Sequence, residues 1–255
     1  MNVATYGPGG RFAMTDRGRS ALRQVPRRLQ IGPSSMTWTA GELVIDVNEV
    51  GGLPNVGRVR GQIRVTPSAI TKVELPLTPD GAHIWRPFAP TARVHCALEA
   101  PGWNWFGHGY FDANFGTRAL EADFDTWTWG RYPTAAGASC FYDAIRRDGS
   151  KLHTAIQFHA DGTASQASMP PLLKMRRSAW AVARETRGDA NSTPRQVLPM
   201  LDAPFYCRAA VETTLEGEPT VGVHEALDLR RFRSRLLKPM LAVRVPRRPK
   251  WDFGI

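Results

Sequence analysis

The stretch VRGQIRV, residues 59–65, indicates the fold more clearly than any other part of the chain. Apolar residues or glycine occupy every second position, and arginine or glutamine occupies the positions between them. Alternation with a period of two is typical of a β-strand that buries one face. Short apolar or alternating stretches recur at residues 43–47, 94–98 and 221–229. The sequence therefore predicts many short strands.

Dipeptides that end in glycine separate these stretches. Asp-Gly occurs at 80–81, 148–149 and 161–162, and Glu-Gly occurs at 216–217. Such pairs tolerate the positive φ angles of tight turns between antiparallel strands. Long stretches with the period of a helix are scarce. We therefore expect an all-β protein built of antiparallel hairpins, arranged as barrels or sandwiches.

Two β-domains in tandem are expected, spanning residues 1–130 and 131–255. Proline, glycine and small residues cluster at 130–137, where we place the boundary. Tyr-Phe-Asp-Ala at 110–113 resembles Phe-Tyr-Asp-Ala at 141–144, which suits two domains of similar type.

The composition is that of a globular protein, with 255 residues, 42% hydrophobic and 22% charged. No apolar run approaches the roughly 18–20 residues of a membrane-spanning helix, and the N-terminus does not resemble a secretory signal. The three cysteines are odd in number and far apart. We therefore expect buried free thiols and a cytoplasmic protein.

The net charge of +10 predicts an anionic partner, either a phosphate backbone or a membrane surface. Residues 230–250 contain nine Lys or Arg and no acid, interleaved with leucine and methionine, and residues 11–28 contain six Arg and one Asp. No RNA-binding or helix-turn-helix motif accompanies the charge. We expect peripheral association with an anionic membrane surface and no nucleic-acid partner; an ordinary solvated face is the alternative.

The most unusual segment is WNWFGHGYFDANFGTRALEADFDTWTWGR, residues 103–131, which holds four of the eight tryptophans. A strand over 107–115 would place His108, Tyr110, Asp112 and Asn114 on one face. An aspartate in an aromatic cavity has a raised pKa and can act as a general acid. Taken from periodicity alone, Asp112 is better explained as a turn cap or the partner of an arginine.

Upstream, His83 and Trp85 follow the Asp80-Gly81 turn and share one strand face. Together they could flank a substrate, or form a core tryptophan beside a satisfied histidine. The six histidines include no HExxH pair, and dinucleotide, P-loop and GxSxG motifs are absent, so the sequence disfavours a structural zinc site and nucleotide-dependent or serine-hydrolase chemistry.

Several motifs together carry a family resemblance. They are LTPDGAHIWRPFAPTARV (77–94), GHGYFDANFGTRALEADFDTWTWGR (107–131), FYDAIRRDG (141–149) and FYCRAAVETTLEG (205–217). This pattern resembles the acyclic carotenoid 1,2-hydratase family, also called hydroxyneurosporene synthase. The resemblance implies tandem lipocalin-like β-domains and cofactor-independent addition of water to the terminal C1–C2 double bond of neurosporene or lycopene. Family members usually carry a further N-terminal segment, so two alternatives are open: Met1 is an internal start, or the first strand of the first domain is missing.

The resemblance also implies roles for single residues. Asp112 is the proton donor, and Tyr110, His83 and Trp85 match other family positions tied to activity. From side-chain chemistry we hypothesise that the Trp85 ring face stabilises a cation, that Tyr110 holds the acid proton or orients water, and that His83 is the base.

Four further residues are candidates for substrate binding: Asn114, Trp127, Trp129 and Glu225. Buried packing is the alternative for both tryptophans, and an ion pair with Arg208 is the favoured alternative for Glu225. A non-catalytic carotenoid carrier and a related polyene cyclase or isomerase are the rival functions.

Overall fold

The computed structural model describes residues 1–15, 17–52 and 56–237, which form an almost entirely β-stranded protein. One short helix, α1 (Leu229–Phe232), and two single-turn 3₁₀ segments accompany the strands. The nineteen strands of these residues, numbered in chain order, are β1 Asn2–Ala4, β2 Phe12–Met14, β3 Leu22–Val25, β4 Arg28–Ile31, β5 Ser34–Thr39, β6 Glu42–Val50, β7 Arg58–Pro67, β8 Leu75–Pro76, β9 His83–Ala100, β10 Trp103–Gly116, β11 Phe124–Thr134, β12 Gly137–Arg146, β13 Lys151–His159, β14 Ala164–Gln166, β15 Leu172–Met175, β16 Arg184–Arg187, β17 Arg195–Ala203, β18 Tyr206–Leu215 and β19 Glu218–Asp228.

The strands form two long antiparallel sheets and two small ones. The first long sheet has the order β10-β9-β7-β6-β5-β4-β3, with β8 also paired to β9, and the second has the order β14-β13-β12-β11-β19-β18-β17. Pairs β1–β2 and β15–β16 form the small sheets. The prediction of an all-β, antiparallel protein is confirmed. Within the described residues both long sheets are open, and the likeness to lipocalins stays a prediction.

The described chain divides into two compact units. The first contains residues 1–67 and 92–109, and the second contains residues 68–91 and 110–237. The chain passes between them within β9 and within β10. The predicted division into domains 1–130 and 131–255 stays a prediction.

The glycine dipeptides form turns as predicted. Gly149, Gly162 and Gly217 have φ angles of +82°, +86° and +82° and lie in the connections after β12, β13 and β18. Gly81, with φ of +70°, lies between the paired strands β8 and β9. Positive φ explains why glycine stands at each of these positions.

The predicted strand at 221–229 is one residue too long. β19 ends at Asp228, whose carboxylate accepts hydrogen bonds from the backbone N–H groups of Arg230 and Arg231. This cap starts α1 at Leu229, because an aspartate before the first helical residue satisfies amides that the helix leaves free.

The second unit has a large aromatic core around Trp85, which is 1% exposed. Its buried members come from four strands (β9, β11, β12 and β13), the β8–β9 connection and α1, and partly buried residues of β10 and β19 pack against them. The buried members are Leu77, Trp85, Phe124, Trp129, Cys140, Tyr142, Ala144, Ile156, Phe158 and Leu229.

Some sequence predictions fall partly outside the described residues. Of the basic cluster at 230–250, residues 238–250 lie outside them. In the part of the chain that the structure describes, no helix is long and apolar enough to cross a membrane.

Candidate active site

The predicted strand at 107–115 is confirmed, since β10 spans Trp103–Gly116. Successive side chains of a strand point to opposite faces, so Tyr110, Asp112 and Asn114 share one face. The Tyr110 hydroxyl donates a hydrogen bond to Asp112 Oδ2 over 2.7 Å. Asn114 Nδ2 lies 3.5 Å from the same oxygen, at the limit of a hydrogen bond.

Trp85 joins this pair from strand β9. Its indole Nε1–H lies 2.8 Å from Asp112 Oδ2 and 3.1 Å from the Tyr110 hydroxyl oxygen. The indole therefore meets the carboxyl with its N–H edge. That edge contact fixes the ring, whose neighbours are Tyr142 and Phe158. A cation contact with the Trp85 ring face stays a prediction.

All hydrogen bonds to Asp112 found in the described residues end on Oδ2, which leaves Oδ1 without a protein donor there. Asp112 lies within a strand and has no hydrogen-bonded arginine among these residues. Neither a turn cap nor an arginine pair therefore explains it.

Burial raises the pKa of the Asp112 carboxyl above its usual range, against the opposing effects of the Tyr110 and Trp85 hydrogen bonds and the charge of Arg208. Burial, followed by the nearby charge of Asp112, raises the pKa of Tyr110 well above its ordinary value. The phenol thus stays neutral and remains a donor. The site holds a carboxyl with a raised pKa beside neutral donors.

His83 belongs to a separate hydrogen-bond network. Its Nε2 lies 2.6 Å from Asp123 Oδ2, and Arg118 contacts both oxygens of Asp123 over 2.6 and 2.9 Å. The same arginine reaches Asp80 over 2.8 Å. His83 is 3% exposed and packs edge-on against Phe124. In the described residues it makes no hydrogen bond to Asp112, and its role as a base stays a prediction.

Aromatic rings surround the carboxyl. Tyr110 packs on Trp129 with ring centroids 5.0 Å apart, and Tyr142 lies 5.7 Å from Trp85 and 5.9 Å from Trp127. Trp129 is 7% exposed, and its Nε1–H finds no hydrogen-bond partner among the described residues. The structure thus brings both tryptophans into the aromatic wall; their contact with substrate stays a prediction.

Glu225 forms the expected ion pair. Arg208 Nε and Nη2 lie 2.8 and 2.5 Å from Glu225 Oε1, and contact of Glu225 with substrate stays a prediction. In the sheet, Glu225 stands directly opposite Trp129, and Trp129 stands directly opposite Tyr142. Directly opposite residues point to the same face. The ion pair therefore shares a face with the aromatic wall.

Sequence reasoning missed Tyr142 and Asp123 as parts of the site. Tyr142 lies in the Phe-Tyr-Asp-Ala segment at 141–144, which indicated only a repeat. Asp123 lies inside the quoted motif, but its contact with His83, 40 residues away, depends on tertiary packing.

The described residues contain no group of three or more His, Cys, Asp or Glu side chains that could hold a metal ion. All three cysteines are free and buried, as expected. Burial raises the pKa of the Cys140 thiol to about 12, so this side chain behaves as a small apolar group.

Fold and site together define an all-β protein with a half-buried carboxyl beside a group of aromatic rings. The sequence model of the family "carotenoid hydratase CrtC" matches residues 1–254. The acyclic carotenoid 1,2-hydratase of Cereibacter sphaeroides is 63% identical over 254 residues, covering 100% of this chain and 91% of the relative. The enzyme of the same name from Rhodobacter capsulatus is 58% identical over 98% of this chain and 89% of the relative. A third, from Thiocapsa roseopersicina, is 44% identical over 97% and 61%.

The chain belongs to the carotenoid hydratase family. This confirms the predicted family and the predicted enzyme class, since a hydratase is a hydro-lyase.

Proposed function

We propose that this protein adds water to the terminal C1–C2 double bond of an acyclic carotenoid such as neurosporene or lycopene. Its relatives are named acyclic carotenoid 1,2-hydratases. The observation that carries the proposal is the half-buried Asp112 carboxyl, which lies beside aromatic rings and, among the described residues, accepts hydrogen bonds on one oxygen only.

The reaction starts with the proton of Asp112. Because Oδ2 accepts from Tyr110 and Trp85, the proton resides on Oδ1. Transfer of this proton to C2 forms a C–H bond and leaves a tertiary cation at C1. Water then adds at C1 and loses a proton to give the 1-hydroxy product. Two donors already aimed at Oδ2 stabilise the carboxylate that the transfer leaves behind.

The aromatic wall is suited to stabilising the cation at C1. Ring faces attract a nearby cation by about 0.5–2 kcal/mol each, depending on how dry the site is. Trp129 and Tyr142 are the rings nearest to Tyr110 and Trp85 and are suited to this role. Trp85 holds the acid in place, and His83 with Asp123 holds the start of β9, where Trp85 lies.

The test measures oxygen incorporation. Lycopene or neurosporene in membranes is incubated with the protein in heavy-oxygen water, and the 1-hydroxy product is assayed for label. Asp112→Asn should fold and bind carotenoid, because the amide oxygen can accept the same donors as Oδ2. It should convert substrate about 10²-fold more slowly or worse, because an amide cannot deliver the proton.

Asp46→Asn is the matched control, since Asp46 is an exposed aspartate within strand β6. Near wild-type conversion by Asp112→Asn would remove the acid assignment. Binding without product would identify a carrier. A rearranged carbon skeleton without oxygen would identify a cyclase or isomerase.

We also propose that the protein docks on an anionic membrane surface, where its insoluble substrate resides. The hairpin β3–β4 supports this, because Arg23, Arg27 and Arg28 are exposed on it. Leu22 and Val25 on the same hairpin are 45% and 47% exposed. Basic residues beside exposed apolar ones are typical of segments that contact anionic lipid.

A further inference from the structure

Protonation by Asp112 accounts for half of the reaction, and the other half needs a group that holds water and accepts its proton. His83 Nε2 is bound to Asp123. The Glu225–Arg208 ion pair lies on the same sheet face as the aromatic wall and has no role in the acid step. We propose that Glu225, held by Arg208, binds the attacking water and accepts its proton.

Strand register supports this assignment. Val223 and Leu227, two residues before and after Glu225 on β19, both pack against the cluster that contains Trp85. Residues two apart on a strand point to the same face. The side chain of Glu225 is therefore directed toward the core that holds the acid.

Two aromatic rings, those of Trp129 and Tyr110, link Glu225 to Asp112. Trp129 stands opposite Glu225 on the neighbouring strand, and its ring packs on Tyr110, which donates to Asp112. The charges of both carboxylates contribute to raising the pKa of Tyr142, after burial. Both carboxylates thus lie near Tyr142.

The two carboxylates have unlike surroundings. Neutral donors and burial surround Asp112, whereas a guanidinium contacts Glu225 through two nitrogens. Such a difference suits one group to donate a proton and the other to accept one. A carboxylate is a weak base, but a protonated alcohol is a strong acid, so a weak base is sufficient.

Trp129 supplies a second, independent observation. Its buried Nε1–H has no hydrogen-bond partner among the described residues, although a buried indole N–H usually finds one. A water held by Glu225 beside Trp129 would accept this hydrogen bond. The water oxygen then bonds to C1 and its extra proton moves to Glu225. Glu225 releases that proton to solvent, and solvent returns a proton to Asp112, so that one water is added overall.

The experiment compares product formation with isotope exchange in deuterated water. This inference rests on the proposed hydration, which wild-type product formation tests separately. Asp112 delivers deuterium to C2, and a cation that is not captured by water loses a proton and returns as labelled alkene. In Glu225→Gln, conversion should fall at least about tenfold, and the ratio of labelled alkene to hydrated product should rise by at least the same factor.

Glu218→Gln is the matched control, because Glu218 is exposed at the start of the same strand. Unchanged conversion by Glu225→Gln, or loss of exchange together with product, would overturn the inference. The double variant Glu225→Gln with Arg208→Gln also removes the guanidinium that Glu225 contacts in the wild type. If it recovers wild-type conversion, Glu225 only neutralises Arg208 and the inference is wrong; if it stays impaired with a raised exchange ratio, the inference stands.

Discussion

At the scale of the residue, Asp112 and Asp143 show that the surroundings decide what an aspartate does. The two occupy equivalent places in the similar segments 110–113 and 141–144. Asp143 is bound by Arg187 through two nitrogens and by His153 over 2.7 Å. Asp112 accepts only from neutral donors in the described residues. The sequence could predict the strand face of Asp112, but not which donors the fold brings to it.

The raised pKa of Asp112 makes a prediction about stability. Below the unfolded pKa of about 3.9, the carboxyl is neutral in both states and its burial carries no charge penalty. As the pH rises toward and through the folded pKa, the folded protein binds more protons than the unfolded one, so this group lowers the free energy of unfolding. Asp112→Asn does not titrate, and its stability relative to wild type should therefore increase between pH 4 and pH 7.

Thermal unfolding of both proteins across this range measures the effect. A difference between Asp112→Asn and wild type that is constant with pH, or that decreases as the pH rises, would contradict the assigned direction of the shift.

At the scale of the element, local sequence patterns predicted strands and turns well, but they did not predict which strands pair with each other. Alternation placed a strand at 107–115, and glycine dipeptides placed the turns after β12, β13 and β18. The neighbours of β11 are β12 and β19, and β19 lies about a hundred residues away in sequence. The approach of Glu225 to Trp129 follows from that pairing and from no local signal.

Gly222 lies where β19 closely approaches β11. A Cβ atom there would lie 2.2 Å from the Arg131 carbonyl oxygen and 2.5 Å from Tyr132 Cδ1. A backbone carbonyl within a sheet cannot move aside at low cost. Gly222→Ala should therefore lower the free energy of unfolding by about 1–3 kcal/mol, measured by chemical denaturation.

Gly18→Ala is the control for this substitution, since the nearest atom to its Cβ would be Ser20 Oγ at 4.0 Å and its φ is negative. It should change stability by no more than about 0.5 kcal/mol. Equal effects of the two substitutions would show that close packing at Gly222 is not the cause.

At the scale of the whole molecule, part of the net charge of +10 can be assigned to particular surface segments. Residues 19–31 contain four arginines and no acid, and they include the exposed hairpin β3–β4. At the other end of the described chain, Arg230 and Arg231 pair with Asp228, and Arg233 pairs with Asp125. The hairpin is therefore the better candidate for contact with lipid.

Vesicle flotation tests this surface, because arginine near an anionic surface contributes about 1 kcal/mol. Replacing Arg23, Arg27 and Arg28 by Gln should lower the partition coefficient for anionic vesicles roughly 100-fold and leave binding to neutral vesicles unchanged.

A matched triple substitution of the exposed Arg147, Arg176 and Arg177 removes the same net charge from elsewhere. If both triple variants lose binding equally, net charge alone drives association; if neither does, the hairpin is not a docking surface. A large loss confined to the hairpin variant would assign the contact to β3–β4.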